Sequence, residues 1–311
     1  MEWLASVASE GQLMADSFSL YRSAVSTAWA IAGGTGSNPV QDPSISRLVQ
    51  GYARVRRKAD AAKRAARRET IALTAELLAQ IAPSAPGAPG EGKRVSPAEI
   101  MLWAAACMLT FGLNRCAEIF GATRSRRPPL AASAVQFFAR PHDVVHRALC
   151  PVGADWGVCV PDHYMVQLGA TKADPLGHNA PQMIAAAPAV QALWRWMHIR
   201  RDLGGTDGPL FQVPDNSPPL TRVQLFAAVA RWHEVATGHL PKVTGKAFRR
   251  GGNQSLLASG APLSLLMEAG RWAGTGMPAR YSSQVADAKR GMGASRGMGD
   301  LYAAAAAGRQ R

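Results

Sequence analysis

The chain has 311 residues, with 35 Lys+Arg against 21 Asp+Glu and a formal net charge of +14 at pH 7. At 47% hydrophobic and 18% charged it reads as globular rather than disordered or collagen-like, with material for a sizeable core and length for two domains of unequal size. No run of about 18 apolar residues occurs, which argues against a helical membrane span, and the opening MEWLASVASE lacks a basic-then-apolar leader pattern, so no secretory leader is expected. The excess of base favours a polyanionic partner, nucleic acid being the commonest. A merely basic surface gives the same composition, so the placement of the charge decides.

In chain order, residues 1–33 read as helical. DSFSLYRSAVSTAWAIAGG has apolar residues at helical intervals, a candidate N-cap at Asp16 or Ser17 and a stop at Gly33-Gly34. After the turn-rich TGSNPVQDPS, helical periodicity resumes in SISRLVQGYARVRRKADAAKRAARR and runs into base. Arg54, Arg56, Arg57, Lys58, Lys63, Arg64, Arg67 and Arg68 face one acid, Asp60, so half of the net charge lies in 15 residues. A charge run is ordinarily a solvated face. One this one-sided, between apolar segments, reads as a phosphate-tracking linker or a nuclear-localisation-like patch.

A second unit starts near Glu69 with TIALTAELLAQI, read as a short amphipathic helix, followed by the loop PSAPGAPGEGKRV. Residues 96–120 are strongly helical, with Ser96 as N-cap, Pro97 in the first turn and Glu99 placed for a capping box. Between about 130 and 187 the pattern breaks into short pieces, among them VVHRAL and GVCV. HYMVQLGATKADPLGHNAPQMIAAA reads as a β-hairpin around a Lys-Ala-Asp-Pro-Leu-Gly turn. Helices return at VQALWRWMHIRRDL, at TRVQLFAAVARWHEVATG and over 244–269. The tail, 286–311, reads as a weak helix or a disordered arm. The expected class is mainly α with a small β-sheet or hairpin (α+β). Cys107, Cys116, Cys150 and Cys159 form no CxxC pair and no zinc spacing; Cys107 and Cys116 fall in an apolar helical run, as small buried hydrophobes do. A reducing compartment fits this usage.

The chemistry is concentrated in GKAFRRGGNQSLLASGAPLSLLMEAGRWAGTGMPARYSS, residues 245–283. Lys246, Arg249 and Arg250 lie on one helix, and Lys246 and Arg249, three apart, share a face. Gly251-Gly252 permits close backbone approach, Gly260 ends the helix, a second helix starts after Pro262, and Gly270-Arg271-Trp272 ends that one ahead of Tyr281. Each residue has an ordinary reading. Arg115 pairs Glu118 on its own helix turn, Lys172 is a solvated turn lysine, Trp272 and Tyr281 are core or interface aromatics, and Gly251-Gly252 packs helices.

Taken together, this block resembles the C-terminal signature of the tyrosine recombinases (the phage-integrase family). That signature is a basic residue, two residues, then Arg; a helix-glycine-helix; Gly-x-His/Trp; and a nucleophilic Tyr. The separations of 23 residues from Arg249 to Trp272 and nine from Trp272 to Tyr281 match it. Upstream, FGLNRCAE resembles the Gly-Leu-Arg-x-Ser-Glu box, with Arg115 in the first-arginine position, Asn114 inserted ahead of it and Glu118 as its neighbour. LGATKADPLG resembles the hairpin that presents the family's lysine, here Lys172.

The resemblance implies a recombinase catalytic fold over 69–285, a helical core-DNA-binding domain with its basic linker over 1–68, and a tail, 286–311, exchanged between protomers. It implies cutting and rejoining of double-stranded DNA through a covalent 3′-phosphotyrosine, with no cofactor and no metal. The implied catalytic set is Arg115, Lys172, Lys246, Arg249, Trp272 and the nucleophile Tyr281. DNA contacts would come from the basic run and Arg250. The expected assembly is a homo-tetramer on DNA, monomer or dimer in solution, inside the cell with DNA: the nucleus if the host is eukaryotic, the cytoplasm or nucleoid if bacterial. The pattern fits mobile-element members as well as phage ones. A type IB topoisomerase or telomere resolvase shares much of the constellation, and a catalytically silent DNA-binding protein of the same fold is the alternative from another class.

Overall fold

The structure is a computed structural model; it describes residues 15–47, 50–51, 70–89, 95–122, 127–139, 148–150, 160–169, 181–205, 207–214, 217–272 and 298–307. The chain divides into two compact units, Met1–Arg68 and Glu69–Arg311.

In the first unit, helix α1 spans Ala15–Ile31 and ends at Gly33, whose left-handed backbone (φ +69°) reverses the chain. The helix is already formed at Ala15, so Asp16 and Ser17 lie inside it. Neither is the N-cap that the sequence suggests, because a cap needs non-helical backbone. Asn38 closes the following turn, donating to Ser26 Oγ (2.8 Å) and accepting from the Val40 N–H (3.1 Å). The basic run from Arg54 to Arg68 lies outside the described residues.

The second unit is mainly helical, with one small antiparallel sheet. Its axis is helix α3, Pro97–Phe111, which is buried on nearly every side from Ile100 onward. An apolar helix of this kind belongs at the centre of a domain. It starts with the expected capping box: Ser96 Oγ accepts from the Glu99 N–H (3.3 Å), and Glu99 Oε2 accepts from the Ser96 N–H (2.9 Å). Around it pack α2 (Ala75–Ile81), α5 (Ala187–Asp202), α6 (Arg222–Thr237) and α7 (Gly245–Ala258). Helix α6 has its own capping box, Thr221 with Gln224, and stops at Gly238 in the left-handed region. Two short helices complete the unit's helical set around the candidate site: α4 (Cys116–Ile119) and α8 (Leu263–Gly270).

One expected helix is shorter than its sequence pattern. Residues 70–74 are not helical; Thr74 caps α2 by accepting from the Leu77 N–H (3.2 Å), and the strip before it lies beside 242–247. There the Leu73 N–H donates to the Ala247 carbonyl (2.9 Å), and Thr70 bridges Lys242 in parallel. Thr70, Ile71 and Thr74 are β-branched and favour extended backbone, and the cap at Thr74 fixes where the helix begins.

The sheet has the order β2-β1-β3-β4, from β1 (Val135–Ala139), β2 (Ala148–Cys150), β3 (His163–Val166) and β4 (Gln182–Ile184). Phe137 pairs Tyr164, which pairs Ile184, so one row of large apolar side chains crosses three strands. This row faces α5, where the Trp194 ring stands edge-on to Phe137 at 4.8 Å. Strands β3 and β4 are the antiparallel pair anticipated around the Lys172 turn; strand β1 is not among the pieces recognised in the sequence. Of the two readings of the tail, the helix holds over 298–307: α9 (Met298–Ala307) packs on α2, α7 and α5 and sets Tyr302 against Phe111 (ring centroids 6.4 Å). No described helix is long and apolar enough to cross a membrane.

Candidate functional site

Helix α3 ends at Gly112, and the chain turns through Leu113, which has positive φ (+49°), and the buried Asn114. Arg115 is then extended (φ −81°, ψ 140°) and opens α4. Glu118, in the first turn of α4, folds back on it. Its Oε2 accepts from the Arg115 N–H (2.8 Å), and its Oε1 accepts from Arg115 Nη1 (2.7 Å). The guanidinium only donates, so this is the carboxylate half of a capping box. Arg115 does pair Glu118, as its ordinary reading has it. The two differ in burial: the Glu118 side chain is 1% exposed and that of Arg115 is 30% exposed.

From the other end of the sequence, α8 stops at Gly270. Arg271 takes left-handed backbone (φ 50°, ψ 53°), its N–H donating to the Glu268 carbonyl (2.9 Å) and that of Trp272 to the Met267 carbonyl (2.9 Å). Its side chain reaches three acceptors. Nη2 donates to Glu118 Oε2 (2.6 Å); Nη1 donates to Gln182 Oε1 (2.6 Å) and Asn114 Oδ1 (3.2 Å). Gln182, on β4, in turn donates to the Gly112 carbonyl (2.6 Å) and the Ala269 carbonyl (3.3 Å). Burial lowers the Arg271 pKa from its ordinary value; Glu118 opposes that lowering and Arg115 adds to it.

Arg249 is buried on α7. Its Nη2 donates to the Gly270 carbonyl, and its Cζ lies 4.8 Å from the centre of the buried Trp272 ring. A guanidinium over an indole face is a cation–π contact. Gly270 makes it possible, since a Cβ there would overlap the Trp272 ring. Thus the turn 270–272 holds Arg249 with its backbone and its tryptophan, and holds Glu118, and through it Arg115, with Arg271.

The structure therefore brings Arg115, Arg249 and Trp272 into one connected cluster. Lys246 sits on the first turn of α7 and is exposed, whereas Arg249, three residues on, is buried. Lys172 falls in the connection between β3 and β4, outside the described residues, and Gln182 stands just after that connection. Tyr281 also lies outside the described residues. Arg250 is half-buried and donates through Nη2 to the Thr70 carbonyl (2.5 Å), pinning the 70–74 strip to α7. Gly251 and Gly252 do serve close approach, but to the chain's own backbone: a Cβ at Gly251 would overlap Leu73, and one at Gly252 the Thr110 carbonyl.

Neither Arg271 nor Gln182 was marked by the sequence. Arg271 fills the unspecified position of Gly-x-Trp, where any residue fits the pattern. The one available signal was an arginine ending an apolar helix immediately before a tryptophan. Among the described cysteines, Cys107 and Cys116 are buried. Desolvation pushes the Cys116 thiol up to about 12 and raises Cys107 as well, so neither is a thiolate near neutrality. Among the described residues no group of three or more His, Cys, Asp or Glu is arranged to hold a metal ion. No protein-family model matches the chain, and no curated protein does either.

Proposed function

We propose that this chain is a DNA strand transferase of the tyrosine-recombinase kind. The observation that carries the reading is that the 270–272 turn links two arginines 134 positions apart in the sequence: Arg249 directly, through the Gly270 carbonyl and the Trp272 ring, and Arg115 through Glu118, which Arg271 holds. Two guanidiniums held at one place suit the non-bridging oxygens of a phosphodiester, whose charge grows as a nucleophile attacks. The strongly basic chain agrees with a DNA substrate.

On this reading the Tyr281 phenol loses its proton, its Oη bonds to the scissile phosphorus, and the bond from phosphorus to the 5′-oxygen breaks. Lys172 gives its proton to the departing 5′-oxygen. The product is a 3′-phosphotyrosine, which conserves the phosphoester, and a free 5′-hydroxyl, which on another strand reverses the step. Lys246, exposed at the start of α7, is the candidate partner for the phenolic proton. The acting form is a homo-tetramer on double-stranded DNA inside the cell, with the basic run from Arg54 to Arg68 tracking the phosphate backbone.

The test uses a pool of nicked duplexes with randomised sequence, incubated with the full chain. A protein–DNA adduct that survives SDS and is lost in Tyr281→Phe supports the reading. DNA binding without an adduct indicates the silent DNA-binding alternative, and an adduct that persists in Tyr281→Phe removes Tyr281 from the mechanism.

A further inference from the structure

Among the described residues, two non-glycine residues have positive φ, Leu113 and Arg271, and both lie in the candidate cluster. Left-handed backbone in a side-chain-bearing residue persists only where its surroundings over-determine it. At Arg271 those surroundings are three side-chain acceptors from three separate segments: Glu118 on α4, Gln182 on β4 and Asn114 in the turn after α3. Its backbone neighbours serve the opposite side, Gly270 through its carbonyl and Trp272 through its ring, both on Arg249.

We propose that Arg271 is a positioning residue that offsets Glu118, so that the charge of Arg115 is left for the scissile phosphate, and that ties Arg115 to Arg249; the proposal rests on the strand-transfer reading. The electrostatic part follows from a count of charges. Glu118 is a carboxylate contacted by two guanidiniums, Arg115 at 2.7 Å and Arg271 at 2.6 Å. With Arg271 present, the trio carries a net positive charge for an incoming phosphate. Without it, Glu118 cancels Arg115 alone, and the cluster offers a neutral pair in its place. The geometric part follows from the fork. Arg271 spans Glu118, Gln182 and Asn114 with two nitrogens, which a lysine ammonium on a flexible stem does not reproduce. Arg271 is itself largely buried, at 14% side-chain exposure, and its two terminal nitrogens are turned to protein acceptors. It therefore acts through Arg115 and Arg249.

Because the role is about charge, it is separable from a role in folding. The duplex recovered from the wild-type adduct is synthesised twice, once with a normal scissile phosphodiester and once with a methylphosphonate there. Replacing a non-bridging oxygen by methyl removes the negative charge that Arg115 compensates. Release of the 5′-hydroxyl strand is followed for the wild type, Arg271→Met, Arg271→Lys and Arg115→Ala. The expected result is that Arg271→Met slows release at least tenfold more on the phosphodiester than on the methylphosphonate, as Arg115→Ala does, with Arg271→Lys between it and the wild type. A variant that folds poorly loses activity on both substrates in equal proportion, so the ratio of the two rates is independent of the folded fraction. An equal loss on both substrates, or none, overturns the role of Arg271 and leaves the strand-transfer reading standing. If the wild type yields no adduct from the pool, that reading fails and the role of Arg271 fails with it.

Discussion

Arg271 and Glu118 form an ion pair of 2.6 Å although 153 positions separate them in the sequence. The carboxylate is almost fully buried and also holds Arg115, through both its backbone N–H and its guanidinium. Removing one member of a buried charge cluster leaves the others uncompensated, which is costlier than never having built it.

Glu118→Ala is therefore expected to destabilise the protein by about 3–5 kcal/mol, nearly all of it from stranding Arg271, because Arg115 is exposed enough to find water. Glu118→Gln keeps the shape and one acceptor and should cost less. Chemical denaturation of the purified variants measures both; an unchanged midpoint in Glu118→Ala would show that the buried pair contributes nothing.

The contact between Arg249 and Trp272 gives an ordered series. On the strand-transfer reading, Arg249→Ala should slow adduct formation by about 100- to 1000-fold, the usual loss of one strong donor to a developing charge. Trp272→Phe keeps an aromatic face beneath the guanidinium and should be milder than Trp272→Ala, which removes a contact worth about 0.5–2 kcal/mol. Single-turnover cleavage rates order the three variants; equal effects of Phe and Ala at 272 would mean that the ring face is not what matters.

Gly251 is occupied by packing, since Leu73 backbone fills the space a side chain would need. Gly251→Ala should cost about 1–3 kcal/mol through overpacking and should loosen the 70–74 strip first. Hydrogen exchange at the Leu73 amide, which donates to Ala247 at 2.9 Å, reports that loosening. Retained protection there, with unchanged stability, would contradict the close approach.

His198 sets a pH dependence. It is buried on α5, its ring edge-on to Trp194 at 4.4 Å. Burial lowers its pKa, Arg201 lowers it further, and Asp202 partly offsets them. The unfolded chain therefore binds this proton more readily than the native one in the window between the lowered value and the ordinary value of about 6.5. Stability is full above that window and falls as pH drops through it. Thermal midpoints at about pH 5 and about pH 7.5 should differ more in the wild type than in His198→Phe; an equal difference would remove His198 as a cause.

The basic run is tested by salt. If Arg54, Arg56, Arg57, Lys58, Lys63, Arg64, Arg67 and Arg68 contact DNA phosphates, replacing all eight by Gln should weaken binding to any duplex. It should also flatten the slope of log affinity against log salt by at most about 7, at about 0.9 per phosphate neutralised. An unchanged slope would leave the run as a solvated face.

What the sequence determined by itself was what local physics determines. The cap at Ser96 is written within four residues, whereas the one at Thr221, equally local, was not read from the sequence. The pattern of 96–120 announces a helix, and the Lys-Ala-Asp-Pro-Leu-Gly turn between two apolar-containing segments announces the β3–β4 pair. The order of Arg115, Arg249 and Trp272 along the chain is equally plain. Tertiary structure decided what distant segments settle between them. The strip 70–74 is extended because Ala247 offers it a partner, and α9 docks because α2, α7 and α5 present it an apolar face. Arg271 and Gln182 matter because folding brings α4, β4 and the end of α8 together around one buried carboxylate. A hydrogen bond across 153 positions leaves no periodicity behind it: its energy depends on burial and distance, and neither exists until the chain has folded.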